Sequence, residues 1–262
     1  MNGTSFSMRK VFALGLILAS GLIVSGCHIA TTPDPNRSSL GSPDYARVLQ
    51  DRIRELYLVT GLRVRRGEIT EEQAEAIIKK YVLDLVDDID SANIDKTQAW
   101  RYADIFRQAG KWEESYRLYK IAVEHAQGED RRVNDRLQLA RVAAHLGKVD
   151  EAIAMAKSTF DGESAGKAPI LMSVLYELLP EAKGKDKDKE LAELLEGAIE
   201  QHMMTSVDPQ KESGQAFIAV RPHHIQTAWV EVMKLYEASG NPELARKALE
   251  KSEATSVKYA NL

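Results

Sequence analysis

Three glycines, Gly110, Gly147 and Gly240, sit in matching surroundings, and this internal repeat limits what the chain can fold into more than any other feature. Eleven residues before each glycine stand Ala99, Arg136 and Trp229. Tyr102-Ala103, Leu139-Ala140 and Val232-Met233 follow, and one turn later come Phe106, Ala143 and Tyr236. Beyond the glycines, Ser115, Ala152 and Ala245 are matched, then Tyr119, Ala156 and Leu249. The spacing predicts two helices meeting at a glycine turn. Small residues let the pair pack closely, and large ones fill the gaps between successive pairs.

The remaining sequence after Pro43 also reads as helix. Tyr45, Val48, Leu49, Ile53, Leu56 and Val59 recur at helical spacing, and Gly61 and Gly67 loosen the end of that segment. Thr70-Glu71-Glu72-Gln73 is a capping box. Behind it, Ala74, Ile77, Ile78, Tyr81, Val82, Leu85, Val86 and Ile89 form an apolar stripe. A weaker hairpin pairs Pro169–Pro180 with Glu190–Met203 across the charged loop 184–189. The stretch Thr205–His224 reads as a long loop: Asp208-Pro209 and Ser213-Gly214 are turn signals, and Ala216–Val220 is a short apolar run before Pro222.

Trp229-x-x-Val232-Met233-x-x-Tyr236 followed by Ala245-x-x-x-Leu249 resembles the tetratricopeptide repeat. Gly110-Lys111-Trp112-Glu113-Glu114-Ser115 and Gly147-Lys148-Val149-Asp150-Glu151-Ala152 resemble its turn. The copies depart from the family: no unit has the closing proline, Arg136 replaces a large apolar residue, and the first two glycines are 37 residues apart against a period of about 34. The resemblance implies an all-α protein, a right-handed superhelix of antiparallel helix hairpins over residues 93–262, with residues 44–92 as an N-terminal helical segment. It also implies a concave groove lined by the first helix of each hairpin. The groove positions are then Trp100, Asp104, Arg107 and Gln108 in one unit, and Leu137, Arg141 and His145 in the next. Trp100 stands out because the packing register does not require it, and tryptophan and arginine dominate many binding interfaces. A helix over Thr70 to Ile89 folded across the groove would bury Trp100 instead. The paired Lys and Asn of repeats that clamp chaperone C-terminal carboxylates are missing from these positions.

The N-terminus places the chain. Arg9 and Lys10 precede an apolar run, Val11–Val24, that is too short to span a bilayer core of about 20 residues but has the length of a signal-peptide core. It ends in Val24-Ser25-Gly26-Cys27, which resembles the lipobox of bacterial lipoproteins. The resemblance implies removal of residues 1–26 and lipid on Cys27, the one cysteine of the chain. Residues 27–43 then form a tether rich in Pro, Ser and Thr. His28 stands where an inner-membrane retention signal would be Asp, which favours the periplasmic face of the outer membrane. Loss of Arg9 and Lys10 takes the formal charge from −4 to −6, a balance that argues against nucleic-acid binding.

Catalytic and metal signatures are weak. His28, His125, His145, His202, His223 and His224 have no zinc spacing, and Asp87, Asp88 and Asp90 read as a solvated helix exit. Gly162–Ala168 is one residue short of a P-loop, and Ala168 stands where magnesium needs a hydroxyl. Ser164-x-x-Lys167 lacks its partner motifs. The sequence therefore predicts no enzyme, cofactor, metal or small-molecule substrate. It predicts an envelope scaffold or adaptor that takes a protein or peptide in its groove. The alternatives are an enzyme acting on peptidoglycan and a structural subunit of an envelope assembly complex.

Overall fold

The computed structural model describes residues 43–87, 89–160 and 170–260. The expected signal segment, Cys27, most of the expected tether, Asp88 and the P-loop-like and Ser-x-x-Lys segments at 162–168 lie outside the described residues. Within them the protein is all-helical, with no strand. The helices are α1 (Pro43–Arg65), α2 (Glu71–Val86), α3 (Ala99–Gln108), α4 (Trp112–Glu124), α5 (Glu129–His145) and α6 (Val149–Lys157). Then come a composite segment α7 at 171–182, α8 (Asp188–Met204), α9 (Glu212–Ala238) and α10 (Pro242–Ala260).

Each glycine turn is built the same way. Gly110 has φ 77°, Gly147 80° and Gly240 72°, left-handed values that side chains with a Cβ resist. The N–H of Gly110 donates to the Arg107 carbonyl at 3.0 Å, and that of Lys111 to the Phe106 carbonyl at 2.9 Å. Gly147 and Lys148 repeat the pair on Ala144 and Ala143, and Gly240 and Asn241 repeat it on Glu237 and Tyr236. This Schellman arrangement satisfies the carbonyls that a helix end leaves over and turns the chain into the next helix. Gly67, at φ 70°, ends α1 identically, through Gly67 to Val64 and Glu68 to Arg63. The capping box at Thr70 then starts α2, with both of its reciprocal bonds formed.

Close packing follows from the small residues. Ser115 is buried, and its hydroxyl donates to the Ala103 carbonyl across the α3–α4 pair at 2.8 Å. Ala140 and Ala152 are fully buried in the α5–α6 pair. Leu249, the matching large position of the last pair, stays 45 % exposed; no described helix follows α10 to cover it.

The core has two clusters, and α5 is the wall between them. Leu139 and Val142 join the N-terminal cluster with Leu49, Val82, Tyr102, Ile105 and Leu118. Val133, Leu137, Ala140 and Ala143 join the C-terminal cluster with Leu175, Leu194, Ile225 and Trp229. A half-buried hydroxyl–carboxylate bond, Tyr116 to Glu151 at 2.5 Å, and an exposed ion pair, Lys157 with Glu193 at 3.7 Å, also link the second helices.

Two predictions need correction. The Thr205–His224 stretch is mostly helix: α9 begins at Glu212 and runs through the Ala216–Val220 run and Pro222. Gly214 is not a turn residue. A Cβ there would stand 1.9 Å from the Asp208 carbonyl oxygen, so the glycine lets residues 205–211 fold back onto the first turn of α9. The weaker hairpin forms at α7–α8, but α7 contains a π turn, Val174–Leu178, directly before Pro180. The wider turn spares the carbonyl that an α-helix would press against the proline ring.

Candidate functional site: a polar face on the first helices of the hairpins

Side-chain contacts join helices that stand two apart in the chain: α1 with α3, α5 with α7, and the end of α7 with α9. Arg101 of α3 donates to Gln50 of α1 at 2.7 Å. Gln138 of α5 donates to Glu177 of α7 at 2.7 Å. Lys183, just past α7, pairs with Glu231 of α9 at 3.1 Å.

The centre of this face is Asp104, Arg107 and Arg141. Asp104 accepts from Arg107 Nη2 at 2.6 Å and from Gln108 Nε2 at 2.8 Å. Burial works against the Arg107 charge, but Asp104 and then Tyr119 outweigh it, and the guanidinium pKa lies above its ordinary value. Arg141 faces the same space without such a partner: it makes no hydrogen bond or ion pair among the described residues, and its Nε is buried and unsatisfied. Burial, and then the like charge of Arg107, lower its pKa, against the pull of Glu177 and Glu181. Tyr57 of α1 completes this part of the face. Burial raises its pKa, with Arg107, Asp104 and Arg141 all within electrostatic range.

At the far end His145 stacks on Trp112, with centroids 3.6 Å apart and planes 16° off parallel, while its Nδ1 lies 2.8 Å from Glu181 Oε2. Asp104, Arg107, Gln108, Arg141 and His145 therefore share one face. Leu137 does not contribute to its surface; at 6 % exposure it belongs to the C-terminal core, because α5 buries two sides.

Trp100 occupies the other end of α3 and is half-buried. Its cover is guanidinium. The Arg131 carbon lies 3.4 Å from the ring centroid and that of Arg101 4.3 Å. Arg131 in turn pairs with the buried Asp135 at 2.8 Å. Burial raises the Asp135 pKa, opposed by Arg131. Trp100, Arg131 and Asp135, with Lys96, His125 and Gln127, line a cavity of about 250 Å³. Trp100 is thus neither a free anchor in the groove nor a residue sealed only by the preceding helix.

Tyr57, Gln138, Glu177 and Glu181 were not legible as site residues. Gln138 meets Glu177 from 39 positions away, and His145 meets Glu181 from 36. The one available signal is the i, i+4 spacing of Glu177 and Glu181, which puts two carboxylates on one side of a helix.

A second titratable cluster lies at the α8–α9 junction. His202 is 1 % exposed, and neither ring nitrogen has a partner. Phe217 lies 4.8 Å from it and His224 6.1 Å, centroid to centroid. Burial, then His224 and Arg221, lower its pKa to about 4. Among the described residues no group of three or more His, Cys, Asp or Glu is placed to hold a metal, and no helix is long and apolar enough to cross a membrane. No family model, curated protein or solved structure matches the chain.

Proposed function

We propose that this chain is a lipid-anchored scaffold or adaptor of the bacterial envelope, which receives a protein or peptide on the face formed by α1, α3, α5 and α7. In this reading residues 1–26 are a lipoprotein signal, Cys27 carries the lipid on the periplasmic side of the outer membrane, and residues 27–43 are the tether. The helical pairs form a right-handed, tetratricopeptide-like superhelix whose concave side is the polar face.

The observation that carries the reading is Arg141: a guanidinium, half-buried at the centre of a polar face, with no ion pair of its own among the described residues. Desolvating such a group without a partner is costly, so a ligand that supplies acceptors gains what the fold leaves unused. The flanking groups, Gln108, Gln138, Tyr57 and the stacked Trp112–His145 pair, offer hydrogen bonds and flat apolar area of the kind that orients a peptide.

Affinity purification of the full chain from detergent-solubilised membranes tests this. Arg141→Glu is expected to lose copurifying partners that Lys247→Glu, on α10, retains. Equal partner sets from the two variants and the parent chain would refute the assignment of the face.

A further inference from the structure

We propose that the C-terminal half of α1 is a membrane-contact surface, and that it docks on an anionic phospholipid bilayer beside the lipid anchor. The inference rests on the lipoprotein reading above and adds a second, protein-borne contact to it.

Helix α1 buries Ala46, Leu49, Ile53 and Thr60. Leu58, Val59 and Leu62 point elsewhere and are 41 %, 47 % and 44 % exposed. Their i, i+1, i+4 spacing puts them on one turn of one face. Arg54 and Arg66, each with a side chain 70 % exposed, and the exposed Arg65 flank that turn. Arg65 makes no ion pair among the described residues, and Arg66 reaches Glu68 only at 3.8 Å. Residues 43–66 carry six arginines against three carboxylates. Exposed aliphatic side chains ringed by arginine suit the headgroup boundary of a bilayer with negative charge, where the apolar groups enter the acyl edge and the guanidinia meet phosphates.

The length of chain before α1 allows it. Roughly 16 residues separate Cys27 from Pro43, a reach of at most about 55 Å. From Pro43 to Leu62 the helix extends only about 29 Å. The patch can therefore lie on the same leaflet that holds the acyl chains. One exposed turn would bind a bilayer weakly from solution. Tethering raises its effective concentration at the surface, so a weak contact is enough to fix orientation.

The test uses the full-length acylated protein reconstituted in vesicles, with an environment-sensitive fluorophore on Leu62→Cys or Leu58→Cys and, as reference, on Met204→Cys, a position 82 % exposed. In phosphatidylethanolamine vesicles containing phosphatidylglycerol, nitroxide-labelled lipid is expected to quench the α1 labels several-fold more than the reference. Arg65→Gln with Arg66→Gln, or omission of phosphatidylglycerol, should remove most of that difference. Equal quenching at the α1 and reference positions, with acylated Cys27 confirmed by mass spectrometry, would overturn the contact while leaving the anchor intact. So would quenching indifferent to phosphatidylglycerol, or protection of the α1 labels that grows with protein concentration in detergent alone, which would assign the patch to a second copy. An unmodified Cys27 would overturn the anchor and this inference together.

Discussion

Arg107 and His202 are both withdrawn from solvent, and the fold treats them oppositely. Arg107 stands beside Asp104, which sits three residues earlier on the same helix and meets the guanidinium at 2.6 Å. His202 faces Phe217, His224 and Arg221, none of which offers it a negative charge, and its ring nitrogens have no partner. Beside its counter-charge the buried guanidinium is held charged; the imidazole, with no such partner, is held neutral. The first arrangement keeps a charged group on the polar face, whereas the second makes the α8–α9 junction sensitive to acid.

The sharpest way to break this contrast is to remove the counter-charge. Asp104→Ala leaves Arg107 unpaired in a largely buried site and should destabilise the protein by about 3 kcal/mol. Arg141→Ala removes a guanidinium that has no ion pair and should cost less than about 1 kcal/mol. Urea unfolding followed by circular dichroism measures both. Equal losses would show that the pairing seen at Asp104 carries no special weight.

The effect at His202 is slightly smaller and appears only with pH. Its folded pKa of about 4 lies below the value of about 6.5 expected when unfolded. Between those values the unfolded chain takes up a proton that the folded chain refuses. Stability is therefore full above about pH 6.5 and falls as pH drops toward 4, by on the order of 2 to 3 kcal/mol. His224, also lowered, first by burial and then by His223, adds to the same window. His202→Leu should flatten most of this slope in unfolding curves between pH 6.5 and 4.5. An unchanged slope would place the acid sensitivity elsewhere.

Much of the helical pairing was legible because one chemical requirement left one residue type. A left-handed turn with two backbone bonds selects glycine, and Gly110, Gly147 and Gly240 stood at matching positions. Gly67 uses the same device outside the repeat; the sequence marked it as loosening a helix end, and the backbone shows the left-handed turn there. The α9 start was misread because its punctuation has another cause. Gly214 makes room for the Asp208 carbonyl, and Pro222 is carried inside a 27-residue helix. In the polar face, register on α3 and α5 located Asp104, Arg107, Gln108, Arg141 and His145. Leu137 was misplaced because α5 has core on two sides, which widens its apolar arc. For Trp100 the sequence left open a groove anchor or burial under the Thr70–Ile89 helix, and nothing local showed that Arg131, from another helix, would cover its ring.

The α1–α3–α5–α7 face is proposed to hold a partner. Site-specific photo-crosslinking in cells tests it most directly, with the crosslinker placed in turn at Gln108, Gln138 and, on the exposed side of α10, Leu249. One discrete adduct shared by Gln108 and Gln138 is expected, absent at Leu249 and lost on adding Arg141→Glu. Adducts confined to Leu249, or indifferent to Arg141→Glu, would contradict it.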